Sequence, residues 1–306
     1  MSTATEARDG TEAAIDRLEE GEAVAALIAA QQRAAACVAD AAADILRAAR
    51  AVAAALSSGG KLIYCGAGSS GLIALADALE LPGTYGVGAD RAFAIIAGGT
   101  ASLVDLAGGD EDDRESGAAD VAAAGIGEGD VVIAIAASGR TPYALGAAEA
   151  GRRAGATVIA LSNNADAPLL DGADIAIVLA TPPEPVAGST RLGAGTAQKI
   201  ALNTISTMAG VLLGHVHDGM MVNLRADNDK LRARAARIVA SIAQVSEDKA
   251  QKALEATGGV VKPAILLACG AGGGEEAERR LLEAGHDLRV ALETMASQER
   301  RQSTRP

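Results

Sequence analysis

The chain has 306 residues, enough to bury a large core in one to three domains. Its 27 Lys and Arg stand against 39 Asp and Glu, a net charge of −12, and only Tyr64, Tyr85, Phe93 and Tyr143 are aromatic. That balance excludes the basic footprint and stacking platforms of a nucleic-acid binder. The core has to be built from Ala, Leu, Val and Ile, which favours closely packed helices and parallel strands. Cys37, Cys65 and Cys269 are odd in number and far apart, so neither a disulfide framework nor a zinc cluster is expected. Cys65 reads as a small apolar filler at a strand end. The opening residues are polar and acidic, unlike a signal peptide, and no apolar run nears the ~18–20 residues of a membrane span. A cytoplasmic location is therefore expected.

Residues 11–58 are Ala-rich with helical spacing, and two helices are expected, near 12–30 and 32–57, ended by Ser-Ser-Gly-Gly. Five near-continuously apolar runs follow at 61–66, 92–98, 131–138, 157–162 and 174–180, the pattern of strands buried on both faces. Helices near 70–81, 117–124 and 141–154 alternate with them. The repeated strand–helix–strand order argues for an α/β fold with a doubly wound, mainly parallel five-stranded sheet. A long helix is expected over about 192–214, and from 228 onward the chain reads as helical with Gly-marked ends. There, 254–265 and 282–292 form a weak repeat once one residue is dropped. Short paired helices of this kind suit a small bundle for docking or oligomerisation, and no catalytic group is visible in it.

The first apolar run leads into Gly66-Ala-Gly68-Ser-Ser-Gly71, a G-x-G-x-x-G pattern. Such a turn suits any phosphate at a helix N-terminus. A dinucleotide site would also place an acid at the end of the second strand, but that strand ends Ile-Ile-Ala-Gly-Gly, and Asp90 precedes it. Ser69 and Ser70 between the glycines suit a terminal phosphate monoester better. A second loop, Ser138-Gly139-Arg140-Thr141, follows the third strand with the same small-plus-hydroxyl chemistry and one cation. Each loop alone reads as an ordinary Ser/Thr helix cap. Two of them beyond the carboxyl ends of buried strands describe one phosphate-bearing pocket. Ser189 or Thr190 would cap the long helix, and Arg191 offers a guanidinium fork to a phosphate or carboxylate. Gln198 and Lys199 read as structural, His215 and His217 as a helix-end pair rather than a metal site, and Met220-Met221 as packing.

With both loops in view, the chain resembles the sugar isomerase (SIS) superfamily and, within it, the N-acetylmuramic acid 6-phosphate etherase family. The motifs that carry this are TEARD (5–9), YCGAGSSG (64–71), DALELPGTYGV (77–87), IIAGG (95–99), GDEDD (109–113), AASGRTPY (136–143), GSTRLGAGTAQK (188–199) and VNLRADNDKLRARA (222–235). The resemblance implies an N-terminal helical segment over 1–57, a sugar-phosphate-binding domain over 58–225 and a C-terminal helical, UBA-like domain over 226–306.

It also implies a carbon–oxygen lyase that removes a D-lactyl ether by elimination and hydration, without a metal or redox cofactor. Glu80 matches the family's proton-donating glutamate, and Glu111 its second active-site glutamate. Read without the family, Glu80 is a solvated helix-end residue and GDEDD a solvated acidic turn. Ten residues of helix separate Ser70 from Glu80 by ~15 Å, about twice the span of a hexose phosphate. A homodimer in which a neighbouring copy completes each site is therefore expected. Leu72 stands where the family carries Arg, Gly193 where it usually carries Lys, and Leu81-Pro82-Gly83 where it carries Cys-Pro-Pro. Two alternatives follow from the same fold: a non-catalytic sugar-phosphate regulator, as in the related glucokinase regulatory protein, and an isomerase or lyase of another phosphosugar.

Overall fold

The computed structural model describes residues 5, 7, 14–105, 108–224, 226 and 228–303, without the side chains of 299 and 301–303. The expected helix start at 12–13 and most of the 5–9 motif lie outside these residues. The chain divides into two compact units, Met1–Leu79 with Ala89–Ala209, and Glu80–Gly88 with Gly210–Pro306.

The first unit opens with α1 (Glu20–Cys37) and α2 (Ala42–Ser57), joined by a 3-10 turn over Val38–Ala41. The helix break thus falls at 38–41 rather than near 31, because the Ala-rich stretch contains no residue that marks it. The sheet strands are β1 (Leu62–Gly66), β2 (Ala92–Ile96), β3 (Val131–Ile135), β4 (Thr157–Ser162) and β5 (Ile175–Val178). All pair in parallel, in the order β2-β1-β3-β4-β5. The expected doubly wound fold is therefore observed. β1 and β3 are buried throughout, as their unbroken apolar runs required. Three strands stop short of the expected 98, 138 and 180, because apolar residues such as Ala97, Ala136, Ala137 and Leu179 carry the pattern on past the last paired position. The helices between strands are α3 (Gly68–Tyr85), α4 (Arg114–Ala123) and α5 (Pro142–Arg153), and α6 (Gly193–Leu212) follows β5. α3 runs past its expected end at 81, through Pro82.

A polar cluster and a close glycine contact hold these layers in register. Asp77, buried on α3, accepts from Tyr64 Oη of β1 at 2.7 Å and from Asn203 Nδ2 and Ser206 Oγ of α6 at 2.5 and 3.0 Å. Three neutral donors satisfy a carboxylate that has no cation paired with it among the described residues, and burial together with Asp77 raises the Tyr64 phenol above its ordinary pKa. α4 and α5 pack backbone to backbone: a Cβ on Gly117 would lie 2.1 Å from the Tyr143 carbonyl oxygen, and one on Gly146 would lie 2.0 Å from that of Arg114.

The second unit carries a hairpin, β6 (Val216–His217) with β7 (Met220–Met221), which the sequence pattern did not suggest. It continues with α7 (Asp229–Ala243), α8 (Glu247–Ala256), α9 (Val261–Ala268), α10 (Gly274–Glu283) and α11 (Leu288–Ser303) around one apolar core. The weak repeat maps onto two equivalent helix ends. Gly259 N donates to Leu254 O after α8, and His286 N donates to Leu281 O after α10, at 2.7 and 2.8 Å.

His215 and His217 belong to the approach and first strand of the hairpin, not to a helix end. The described residues contain no group of three or more His, Cys, Asp or Glu able to hold a metal ion. Burial and the nearby Lys262 ammonium lower the His215 pKa to about 4, against a ring hydrogen bond to the Tyr85 backbone that raises it. Lys262, buried on α9 and donating to His286 O at 2.9 Å, is itself lowered by burial to about 8.

Two outcomes are expected. Gly146→Ala should lower stability in urea by about 1–3 kcal/mol, while Gly127→Ala, whose Cβ meets nothing within 4 Å, should leave it unchanged or slightly raised. The unfolded His215 binds protons below pH 6.5 that the folded ring refuses until about 4. Stability should therefore fall as pH drops through that window, by up to about 3 kcal/mol, and His215→Gln should flatten this limb of the stability–pH profile.

Candidate active site

The strand order reverses between β1 and β3, so the loops leaving these two strands face the crevice where open α/β sheets take their ligands. The Gly-rich loop leaves β1 and the Ser138–Thr141 loop leaves β3. The topology thus brings the two phosphate-loop candidates side by side.

Each glycine of the first loop has a steric reason. A Cβ on Gly66 would lie 3.1 Å from Gly71 N, and one on Gly71 would lie 3.0 Å from Gly66 O and from Ile96 Cγ2. Gly68 opens α3 at φ +53, in the left-handed region. The first turn of α3 can therefore press onto the end of β1, aiming its free N–H groups at the crevice. Ser70 is buried and Ser69 half-buried. Neither hydroxyl is engaged by another described residue.

In the second loop, Ser138 Oγ accepts from Arg140 N at 3.1 Å. Gly139 lies against Ser162 and Ala167, where a Cβ would come within 2.7 and 2.2 Å of their side chains. Thr141 occupies the N-cap position of α5 but its hydroxyl makes no capping bond. Helix capping therefore does not account for the Ser69, Ser70 and Thr141 hydroxyls. Arg140 is exposed and shared with Asp166, with Nη2 3.4 Å from Asp166 Oδ2 and 3.3 Å from its carbonyl oxygen.

The acidic turn is divided by role rather than simply solvated. Asp113 Oδ1 caps α4 by accepting from Ser116 N at 2.9 Å, and the Asp110 carboxylate occupies the space beside Gly98. Glu111 points elsewhere: its Oε2 lies 4.0 Å from where a Cβ on Gly68 would stand. An unengaged carboxylate thus lies near Gly68, the first residue of α3, and the next two residues of that helix carry free hydroxyls.

The third group, Ser189, Thr190 and Arg191, follows β5. Here the capping expectation fails. Glu184, buried, accepts from Gly193 N and Ala194 N at 2.9 and 2.8 Å and caps α6 itself, because its longer side chain reaches both N–H groups. Ser189 and Thr190 are half-buried and remain available. Gly195 brings this loop against α3, where a Cβ would lie 3.1 Å from Ile73 Cδ1 and 3.3 Å from Thr190 O. Ile73 is three residues from Ser70, on the same helix face. Glu80 is exposed, ten residues further along α3, in the segment grouped with the C-terminal unit. An apolar groove of about 410 Å³ beside β2, lined by Leu75, Phe93, Ile95 and Leu103 among others, contains none of these candidates.

Residues 27–163 match the SIS domain family model. An N-acetylmuramic acid 6-phosphate etherase of Deinococcus radiodurans is 45% identical over 91% of this chain and 91% of its own. That of Symbiobacterium thermophilum is 48% identical over 72% of this chain and 74% of its own. The chain belongs to the N-acetylmuramic acid 6-phosphate etherase family. A phosphoheptose isomerase structure from Francisella tularensis matches with a TM-score of 0.49 and 23% identity, covering 64% of this chain and 98% of that one.

Around these etherase motifs lies a buried polar layer that sequence reasoning missed. Asn163 and Asn164 follow β4 directly. Gln198 Nε2 donates to Asn163 Oδ1 at 2.9 Å, so Gln198 is structural as expected, while Lys199 is exposed. Two asparagines straight after a buried strand were an available signal. Glu184 offered none, since nine residues separate it from the helix it caps.

Glu184→Ala should lower the denaturation midpoint by the equivalent of about 1–3 kcal/mol, whereas Ser189→Ala and Thr190→Ala should each stay within about 0.5 kcal/mol.

Proposed function

We propose that this protein is a carbon–oxygen lyase that converts N-acetylmuramic acid 6-phosphate to N-acetylglucosamine 6-phosphate and D-lactate. Family membership supports the reaction. The observation that carries the site is the Glu111 carboxylate beside Gly68, at the loop whose Ser69 and Ser70 hydroxyls are unspent.

In this reading the 6-phosphate sits at the switch point. It accepts from the N-terminal N–H groups of α3, from Ser69, Ser70 and Thr141, and from the loop at Ser138, Gly139 and Arg140. Ser189, Thr190 and Arg191 meet the remaining polar groups of the sugar or its lactyl carboxylate. In the open-chain aldehyde the carbonyl acidifies the C2 proton. Glu111 as the base removes that proton, and the electron pair forms the C2=C3 double bond. The C3–O bond breaks, and Glu80 protonates the departing lactate oxygen. Water then adds at C3 while a proton returns to C2, leaving N-acetylglucosamine 6-phosphate. Positioned carboxyl groups of this kind contribute ~10²–10⁴-fold each, and the steps need no metal or redox cofactor.

Glu80 and Ser70 stand ~15 Å apart along one helix, so we assign each site one Glu80 from a second copy in a homodimer. Leu72, Leu75 and Leu79 share one face of α3, with Leu79 68% and Leu72 36% exposed, and such an apolar stripe supports a partner there. No helix among the described residues is long and apolar enough to cross a membrane. We place the enzyme in the cytoplasm, in amino-sugar catabolism that recycles cell-wall fragments.

The test is incubation with N-acetylmuramic acid 6-phosphate in ¹⁸O-labelled water. D-lactate together with label at C3 of the product is expected, and Glu80→Gln or Glu111→Gln should reduce turnover at least ~100-fold while phosphosugar binding persists. Ser69→Ala/Ser70→Ala should weaken that binding by about 10–100-fold at nearly unchanged melting temperature. Stabilisation by phosphosugars without lactate release would overturn the etherase assignment.

A further inference from the structure

Thr5 is the first residue of the TEARD motif. It is 2% exposed, although it stands near the start of the chain. Its hydroxyl accepts from Asn164 Nδ2 at 3.2 Å, and its carbonyl accepts from Gly188 N at 3.1 Å. The same Asn164 amide donates to Ala137 O at 2.9 Å, and Ser162 Oγ donates to that carbonyl at 3.2 Å. A continuous hydrogen-bonded path therefore runs from the loop after β3, through the loop after β4 and Thr5, to the loop after β5. Its two ends carry Ser138–Thr141 and Ser189–Arg191. Among the described residues, the other backbone bonds of the third loop are Ser189 N to Val186 O, Thr190 N to Gly188 O and Leu192 N to Ser189 O within it, and Gly195 N to Thr190 O and Thr196 N to Leu192 O, which join it to the start of α6. They shape the loop and seat it on α6, but none of them reaches the loop after β3.

We propose that Thr5 is a positioning residue that fixes the spacing between the two anion-binding loops, and so the fit of a ligand that bridges them. The inference rests on the phosphosugar reading of those loops. Thr5 touches neither the ligand nor the reacting atoms. It acts through Asn164 and Gly188, so its loss should weaken binding and leave the chemical step largely intact. A valine keeps the shape of threonine and the carbonyl bond to Gly188, and deletes the hydroxyl that Asn164 holds.

The experiment compares wild type, Thr5→Val, Thr5→Ala and Thr5→Ser in the full-length protein. It measures KM and kcat for N-acetylmuramic acid 6-phosphate by lactate release, and Kd for N-acetylglucosamine 6-phosphate by calorimetry. Thr5→Val and Thr5→Ala should raise KM and Kd by about three- to tenfold, the effect of one neutral hydrogen bond, with kcat within about twofold. Thr5→Ser should restore both. Should Thr5→Val fail to fold, the smaller Thr5→Ala carries the comparison. Unchanged Kd in the valine and alanine variants, a fall in kcat at constant KM, or no rescue by serine would each overturn the proposal. If wild type binds the phosphosugar but releases no lactate, the etherase reading fails, while the Kd series still decides the role of Thr5. A wild type that binds no phosphosugar would overturn both.

Discussion

The first turn of α3 presses onto the last residue of β1, and the rest of the candidate site is built on that contact. With hydrogen at both Cα positions, Gly66 and Gly71 approach to a distance that a side chain would spoil. Gly68 supplies the left-handed residue that turns strand into helix. The helix then begins at the sheet edge rather than a turn later, and its unbonded N–H groups open where the strand order reverses. The Glu111 carboxylate comes to ordinary contact distance of the Cβ position at Gly68. A glycine pattern chosen by packing thus becomes, through geometry, the place where we propose that the 6-phosphate binds, with a carboxylate near it.

How much of this the sequence disclosed follows from whether each signal is local. Parallel strands were legible because β1 and β3 are apolar at every position, and a strand buried on both faces has no other economical composition. Their ends were not, since Ala97, Ala136 and Ala137 continue the pattern into turns. The break at 38–41 left no trace because alanine is neutral to it. The hydroxyls of both loops were visible, but whether they cap or remain free depends on what else reaches the helix end. Glu184 shows the difficulty: a buried acid nine residues before α6 takes the N–H groups that Ser189 or Thr190 would have claimed. Glu111 was distinguishable within its acidic run only by family resemblance. The structure separates it from Asp110 and Asp113 by what each carboxylate faces.

The charge balance bears on specificity. In the proposed site, a chain of net charge −12 with Leu72 and Gly193 where the family resemblance implies cations would hold an anionic sugar mainly with neutral donors. Helix N-termini and hydroxyls do this over short range and with strict direction, whereas an ammonium attracts from afar with little regard for angle. Glu184 would oppose an anion, but two backbone N–H groups absorb its charge. Arg140 is already shared with Asp166, so its pull on a ligand is reduced. Arg191 is therefore the cation of the three loops with no competing carboxylate beside it among the described residues. Affinity in such a site depends on the spacing of donors more than on summed charge. That makes the tie from Ala137 through Asn164 and Thr5 to Gly188 consequential for the proposed site: where charge is scarce, the distance between the loops would decide which phosphosugar fits.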